Sequence, residues 1–292
     1  MTKIYETASD WNNAAEKHVL FFGMSGLGKT RLASLLRAQG DWFHYSIDYR
    51  IGTAYMGEHI SDNLKLQAMQ VPFLRELLRS DSIYIGSNIT FDNLAPLSTF
   101  LGKPGDPMRG GLPFEEYMRR QDLHRRAEIN ALLDTAPFIA RARDLYGYAN
   151  FICDTGGSIC EVVEPENPQD EVLSALSSNS LMVWIEGSED HTEALIKRFD
   201  QAPKPMYYRP DFLKAQWQAY ITQTGAAPDA VDPDAFVRFT YAAALAHRAP
   251  LYAAMAKNWG VCVSADDVAR VGDGADAIAL VGHALEARAP KA

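Results

Sequence analysis

The chain has 292 residues, of which 47% are hydrophobic and 22% charged, with a formal net charge of −9 and a pI near 5.3. That length and hydrophobic content are enough for one large core or two modest ones. The acidic balance excludes a global positive field for nucleic acid or an anionic membrane, so local arginines must meet any anionic ligand.

No apolar run approaches the roughly 20 residues that a membrane-spanning helix needs. Residues 1–17 are polar and lack the basic-then-apolar order of a signal peptide. The three cysteines, Cys153, Cys160 and Cys262, lack the spacing of a metal site. They are typical of reduced, mostly buried thiols, and we therefore expect a cytoplasmic protein.

Short apolar runs separated by helical patterns predict an α/β fold, with parallel strands joined by right-handed crossovers. Five such runs are expected to be strands, at residues 19–22, 43–48, 151–154, 181–186 and 261–263. Ligands of such sheets bind at the carboxyl ends of the strands.

The first strand leads into residues 23–30, which read GMSGLGKT and match the P-loop pattern G-x-x-x-x-G-K-T. A helical pattern follows at 31–36, so the loop has the strand–loop–helix context that this motif requires. Its glycines let backbone N–H groups face phosphates at the positive end of a helix. Lys29 is expected to reach the β- and γ-phosphates, and the Thr30 hydroxyl to bind Mg²⁺. The predicted nucleotide-binding residues are Gly23, Ser25, Gly26, Leu27, Gly28, Lys29, Thr30 and Arg31.

Carboxylates close two of the predicted strands, Asp48 in the run 43–48 and Asp154 in the run 151–154. A carboxylate that follows an apolar strand beside a P-loop typically holds Mg²⁺. Either side chain could instead accept a proton from a substrate hydroxyl, or cap the helix that follows. Both are therefore predicted metal-binding and catalytic residues, and the choice of the base stays open between them.

Residues 51–149 form too long a connection for a simple crossover and are predicted as a helical insertion. Helical patterns cover 63–79 and 115–133, with a Pro- and Gly-rich loop at 102–107 between them. Arginines of the second helix could bind a phosphorylated acceptor. The preferred interpretation is that they form a solvated face and pair with nearby acids. These arginines are Arg119, Arg120, Arg125 and Arg126.

Three further motifs follow along the chain. After Asp154 comes Thr155-Gly156-Gly157-Ser158, where two glycines allow a ligand to approach the backbone. Residues 197–210 are rich in prolines and cations and predict a mobile flap, in which Arg209 is placed to neutralise a transferring phosphoryl group. Arg248 begins the run RAPLY (248–252), which follows a helical pattern at 236–246.

In this order the motifs resemble the shikimate kinase family, small P-loop kinases with a nucleoside-monophosphate-kinase-like fold. The matching pieces are GMSGLGKT, the Asp-bearing second strand, TGGS (155–158), RPDFL (209–213) and RAPLY (248–252). They cover roughly residues 15–50 and 150–285 and leave the insertion unexplained. Only the P-loop is specific alone, and the other matches are informative through their order.

The resemblance implies a three-layer P-loop kinase core at 1–50 and 150–287, a lid at about 198–213 and an acceptor-binding insertion at 51–149. For the site residues it implies MgATP on Lys29 and Thr30, the acceptor along Gly156 and Gly157, Arg209 as the lid arginine, and an acceptor carboxylate on Arg248.

The chain departs from the family pattern at two of these positions. Arg50 stands where the family has an acceptor-binding Asp, and Ser158 replaces the third glycine of a triplet. A base in place of an acid favours a more anionic substrate or a different hydroxyl. Arg50 is therefore a predicted substrate-binding residue.

The sequence thus predicts a Mg²⁺-dependent, ATP-binding kinase that phosphorylates a hydroxyl group of a small, carboxylate-bearing metabolite. A small-molecule acceptor is the expected partner, and neither a membrane nor nucleic acid is expected. The alternative is a P-loop ATPase or nucleotide switch whose helical insertion binds a protein partner.

Overall fold

The computed structural model describes residues 3–288. Within them, five strands form one parallel sheet of order β2-β3-β1-β4-β5. The strands are β1 (His18–Phe22), β2 (Trp42–Ser46), β3 (Asn150–Asp154), β4 (Leu181–Glu186) and β5 (Gly260–Ser264). The predicted α/β fold with a five-stranded parallel sheet is therefore confirmed.

Between consecutive strands lie one or more of the described helices, with six of them between β2 and β3. They are α1 (Ala8–Asn13), α2 (Lys29–Arg37), α3 (Ile47–Arg50), α4 (Gly57–Ala68), α5 (Pro72–Arg79), α6 (Ala95–Leu101), α7 (Phe114–Leu133), α8 (Thr135–Tyr146), α9 (Glu171–Asn179), α10 (Glu189–Gln201), α11 (Pro210–Thr224), α12 (Pro233–Trp259), α13 (Ala265–Arg270) and α14 (Gly274–Ala287). A π-helical turn, Ile51–Tyr55, follows α3. Short 3₁₀ turns lie at Pro107–Arg109, Ile159–Glu161 and Pro228–Ala230.

The chain divides into two compact units. The first contains residues 3–47, 129–202 and 238–288 of the described chain, and with them the whole sheet. The second contains residues 48–128 and 203–237. Residues 129–149, assigned to the insertion from the sequence, thus belong to the first unit, and residues 203–213 of the predicted lid belong to the second.

The sheet is the centre of the first unit because its middle strands are apolar on both faces. Every residue of β3 is buried, as are the last four residues of β1, which is typical of a parallel sheet covered by helices on both sides. Helices α2 and α14 pack on each other, with α2 on β2 and β3 and α14 on β5. Helices α8 and α9 also pack on each other, with α8 on β2 and β3 and α9 on β4. In the parallel register Phe21 lies beside Asp154, and Phe22 beside Trp184. The carboxyl ends of the central strands therefore meet at one edge.

In the second unit, the segment that precedes α11 is bonded to α7. The Gln121 amide donates to the Met206 carbonyl at 3.1 Å and accepts from the Tyr208 N–H at 2.9 Å. The Tyr117 hydroxyl donates to the same Met206 carbonyl, also at 3.1 Å. Tyr207 and Tyr208 are both buried. The flap expected at 197–210 is in this structure partly the end of α10 and partly an extended segment held by α7.

Three predicted element boundaries were wrong. Strand β2 ends at Ser46, so Asp48 does not close it but lies in the first turn of α3, where a carboxylate is favourable near the helix N-terminus. The predicted helix 63–79 is two helices, because Pro72 holds Val71 in an extended conformation and begins α5. The helical pattern that ended at Ala246 continues through Pro250 to Trp259.

The continuation of α12 past Pro250 has a physical cause in the buried side chains on both sides of this proline. A proline lacks the N–H that would bond to the preceding turn, which destabilises a helix interior. Here Arg248, Tyr252 and Met255 are all buried by the first unit. Their packing outweighs the lost backbone hydrogen bond.

The three cysteines are free. Cys153 and Cys160 are buried, whereas Cys262 is exposed on β5. The Cys262 thiol donates to the Glu186 carboxylate at 3.4 Å. Although the residue is exposed, its thiol is partly buried, and this partial burial, together with the negative charge of Glu186, raises the pKa of the thiol to about 12. Across residues 3–288, no helix combines the length and the apolarity needed to cross a membrane.

Candidate functional site

The P-loop joins β1 to α2 through a backbone that only glycine adopts without strain. Gly23 has φ +129° and Gly28 has φ +104°. A Cβ on Gly23 would lie 2.7 Å from the Ile185 carbonyl oxygen, and one on Gly28 would lie 2.6 Å from Val268 Cγ1. Both positions therefore exclude a side chain by backbone conformation and by space.

The N-terminus of α2 opens directly from this loop. Gly28 is its N-cap, and no side chain in the described part of the chain caps it. The first N–H groups of a helix have no partner within the helix, and with the helix dipole they attract anions. This end of α2 therefore has the properties of a phosphate site.

Lys29 is the first residue of α2 and is almost fully buried. Its ammonium group donates to the Gly23 carbonyl at 2.7 Å and to the Met24 carbonyl at 2.9 Å. The side chain thus folds back over the loop, and its charged group lies against the backbone carbonyls of the loop. Thr30 beside it is exposed.

The remaining predicted loop residues lie in different surroundings. Ser25 and Gly26 are exposed, whereas Leu27 is buried against Gly187 after β4. The Arg31 guanidinium donates to the carbonyl groups of Val268 and Val271, each at 2.5 Å. Arg31 thus holds the end of α13 against α2. Its predicted contact with a nucleotide is not tested by this arrangement and stays a prediction.

The turn after β3 lies beside the P-loop. The Thr155 N–H donates to the Phe21 carbonyl at 3.2 Å and fixes the start of the turn on β1. A Cβ on Gly157 would lie 3.4 Å from the Ser25 nitrogen and 3.8 Å from Nη1 of Arg248. The structure therefore brings three predicted elements together: the P-loop, the Gly156-Gly157 turn and Arg248.

Asp154 ends β3 and is buried at the same edge of the sheet. Its Oδ1 lies 3.3 Å from Nε2 of His44, which stands on the neighbouring strand β2. Oδ1 has no hydrogen-bond partner among the described residues. A buried carboxylate oxygen of this kind is suited to a further ligand.

Arg248 is buried in α12 and already has a carboxylate from this chain. Its Nε donates to Oε1 of Glu161 at 2.8 Å. The other oxygen of Glu161 lies 3.4 Å from Nε2 of His247. The side chains of Arg248 and Glu161 are only 3% and 0% exposed, so water screens this ion pair very little.

Electrostatics keep this arginine charged despite its burial. Burial is the largest influence on the Arg248 pKa and lowers it, but the negative charge of Glu161 and smaller contributions from Tyr252 and Cys160 outweigh that, so the pKa is raised. Tyr252 donates its hydroxyl hydrogen to the Gly157 carbonyl. Burial raises the pKa of Tyr252 well above its usual value, so this hydroxyl stays protonated.

Asp48, Arg50 and Arg209 belong to the second unit. Asp48 is half-buried in α3. The Arg50 guanidinium lies over the ring of Tyr55, 5.4 Å from its centroid. Arg209 is the N-cap residue of α11, with Pro210 as the first residue of that helix. Their predicted roles stay predictions.

The arginine-rich face of α7 matches the preferred interpretation of a face paired with acids. Arg119 and Arg120 both bond Glu116, whose carboxyl pKa they lower to about 2. Arg126 pairs with Asp122 one turn away. Arg119 and Arg126 fit the predicted solvated face, whereas Arg120 is buried and also donates to the Phe100 carbonyl and the Asn63 side chain.

Sequence reasoning missed three residues that contact predicted site residues: Glu161, His44 and Arg198. A Cβ on Gly26 would collide with the Arg198 guanidinium, so this exposed cation of α10 lies against the P-loop. No local pattern marked Glu161 or His44, because their partners are distant in sequence.

The sheet and the loop define a class: an α/β protein with strand order 2-3-1-4-5 and a P-loop that follows β1, the middle strand of the described sheet. Among solved structures the chain is similar to a shikimate kinase from Bacteroides thetaiotaomicron, as the order of its motifs predicted. The TM-score is 0.42 at 14% sequence identity, over 93% of this chain and 99% of that chain. No family model matches the sequence, and no curated protein matches it. A likeness this distant is too weak to transfer an activity.

Proposed function

We propose that this protein is an ATP-dependent phosphotransferase that moves the γ-phosphoryl group to a hydroxyl group of a small molecule. The observation that carries the proposal is the P-loop itself. It has a glycine backbone that excludes side chains, an N-terminus of α2 without a side-chain cap, and the Lys29 ammonium folded over it. Such a loop binds the phosphates of a nucleoside triphosphate.

The donor set of the chain fits Mg²⁺ bound together with the nucleotide. No cluster of three or more His, Cys, Asp or Glu residues in the described chain could hold a metal alone, and Mg²⁺ is usually held by one or two carboxylates together with substrate phosphates. The exposed Thr30 hydroxyl and the buried Asp154 oxygen are suitable donors, and Asp48 is a third from the sequence. When bound, Mg²⁺ would neutralise charge on the phosphate oxygens.

The remaining roles belong to this chain's own side chains. Lys29, and Arg198 beside Gly26, supply positive charge where the transferring phosphoryl group would carry negative charge. Positioning and charge neutralisation supply most of the catalysis in phosphoryl transfer. Arg209 is added from the family resemblance, and Asp48 or Asp154 would accept the acceptor's proton. The acceptor is proposed to lie along Gly156 and Gly157, beside the P-loop.

The test is release of ADP from MgATP with a panel of hydroxylated acids, polyols and nucleosides. The Lys29→Ala variant should lose essentially all acceptor-stimulated turnover, because no other described cation folds over the loop in this way. Lys257→Ala, which removes an exposed lysine of α12, is the matched control and should keep full activity. Near-normal turnover in Lys29→Ala would refute the mechanism.

A second candidate function is a nucleotide switch or ATPase that binds a protein partner. One observation favours it: apolar side chains in and before α5 are exposed, namely Leu66, Val71 and Phe73, the last at 71%. A slow ATPase that depends on Lys29 but ignores every acceptor, with a partner retained in one nucleotide state only, would favour this function.

A further inference from the structure

The Arg248–Glu161 pair restricts the chemistry of the acceptor, if the proposed function holds. A point beside Gly157 lies 3.4 Å from the Ser25 nitrogen of the P-loop and 3.8 Å from Arg248 Nη1. The P-loop backbone holds the β- and γ-phosphates in proteins that use it. An acceptor bound along Gly157, as proposed above, would therefore lie near Arg248.

A guanidinium group in such a place would normally be the anchor for a substrate carboxylate. In this chain Glu161 supplies a carboxylate of its own, bonded to Nε at 2.8 Å, and both side chains are buried. Glu161 lies in the 3₁₀ turn Ile159–Glu161, and Tyr252, one turn after Arg248 in α12, bonds the Gly157 carbonyl just before that turn. The pair is therefore a fixed part of the first unit.

A second carboxylate on the same guanidinium would bring an additional negative charge into the buried site of the Arg248–Glu161 pair. Like charges that share a site disfavour the ionised form, and an uncompensated charge is costly to bury. His247 lies 3.4 Å from the other oxygen of Glu161, so its imidazole meets that carboxylate and not the guanidinium.

We propose that Glu161 is a specificity-determining residue, which occupies Arg248 so that the acceptor presents an uncharged group there. The acceptor class is then a neutral hydroxyl compound, such as a polyol, instead of the hydroxy acid expected from the sequence. Through Nε, the Glu161 carboxylate supplies the negative charge that a substrate's carboxylate would otherwise bring to this guanidinium.

The test measures carboxylate binding at Arg248 directly, with acetate as the probe. The Arg248 Nε–Hε resonance, assigned with Arg248→Lys, is followed by NMR while acetate is added at constant ionic strength. In the native chain we expect no saturable shift. In Glu161→Gln, which keeps an oxygen acceptor but removes the charge, we expect a saturable shift and an acetate affinity at least about tenfold higher, equivalent to about 1.4 kcal/mol.

A saturable acetate shift in the native chain would overturn the proposal, and this arm stands even where Glu161→Gln does not fold. A folded Glu161→Gln variant that ignores acetate would overturn it as well. The proposed function fails separately, through the absence of Lys29-dependent MgATP binding, which leaves the acetate result unaffected.

Discussion

The Asp154 carboxylate lies 3.3 Å from the His44 imidazole, across the neighbouring strands β3 and β2. Both side chains are largely buried, so the imidazole restricts the orientation of the carboxylate at the carboxyl edge of the sheet. If Asp154 takes part in holding Mg²⁺, His44 acts on the metal through it. His44 would then be a positioning residue and not a catalytic one.

We predict that His44→Leu raises the Mg²⁺ concentration for half-maximal turnover by roughly tenfold, which is the usual cost of losing a group that orients a metal ligand. His44→Asn keeps a hydrogen-bonding group, so its half-maximal Mg²⁺ concentration should lie between those of the native protein and His44→Leu. The measurement is a Mg²⁺ titration of ADP release at saturating nucleotide. An unchanged half-maximal Mg²⁺ concentration in a folded His44→Leu variant would show that Asp154 does not depend on His44.

The backbone of the P-loop leads to a prediction with an internal control. Gly23→Ala and Gly110→Ala both place a side chain at positive φ, +129° and +78°, which costs about 1–2 kcal/mol. Only at Gly23 would the new Cβ also meet a backbone atom, the Ile185 oxygen at 2.7 Å, since nothing lies within 4 Å at Gly110.

Gly23→Ala should therefore lose more stability than Gly110→Ala in urea unfolding and should also lose MgATP affinity. Gly110→Ala should keep that affinity. Equal losses of stability, with nucleotide binding intact in both variants, would mean that the loop relaxes around the new methyl group.

The buried His124 makes stability depend on pH. Burial lowers its pKa from the usual 6.5 to about 4, and its Nδ1 lies 3.7 Å from a Glu128 oxygen, too far for a hydrogen bond. The ring instead stacks on Tyr207, with the centroids 5.2 Å apart. The folded state thus keeps His124 neutral at pH values where the unfolded chain binds a proton.

Because the unfolded state binds more protons between pH 6.5 and about 4, stability falls as the pH is lowered through this window. We predict that His124→Gln reduces this loss by up to roughly 3 kcal/mol, the equivalent of the pKa shift. Urea unfolding at pH 7.5 and pH 4.5 measures it. Identical pH dependence in the two proteins would show that His124 is not the responsible group.

Removing one member of the Arg248–Glu161 pair should lower the free energy of unfolding strongly, whereas replacing both members with apolar residues should lower it much less. Either Arg248→Met or Glu161→Leu leaves one buried charge without its partner, and such losses amount to about 3–5 kcal/mol. The double variant removes both charges and should be far more stable than the sum of the singles predicts. Unfolding free energies of the four proteins measure the coupling.

The exposed pair Arg126–Asp122 is the control for this cycle, because its side chains are 66% and 50% exposed. Its coupling should be below about 1 kcal/mol. Similar coupling in both pairs would mean that the buried pair is solvated in solution.

The sheet could be predicted because each strand is an apolar run with a clear break on either side. The P-loop could be predicted because its spacing is strict and local. Glu161 could not, because its bond to Arg248 joins residues 87 positions apart and depends on how α12 packs on the turn after β3. The course of α12 through Pro250 was missed for the same reason, since tertiary burial overrides the local signal to end a helix.

The chemistry of the three thiols has a practical consequence for experiments in solution. Cys153 and Cys160 are buried, and the Cys262 thiol, with its pKa near 12, is almost entirely protonated at neutral pH. Maleimides react with thiolates, so the native cysteines should label slowly. One new cysteine on the surface of each unit should then carry a dye without removal of the native thiols. Energy transfer between the dyes would report the distance between the units with and without MgATP.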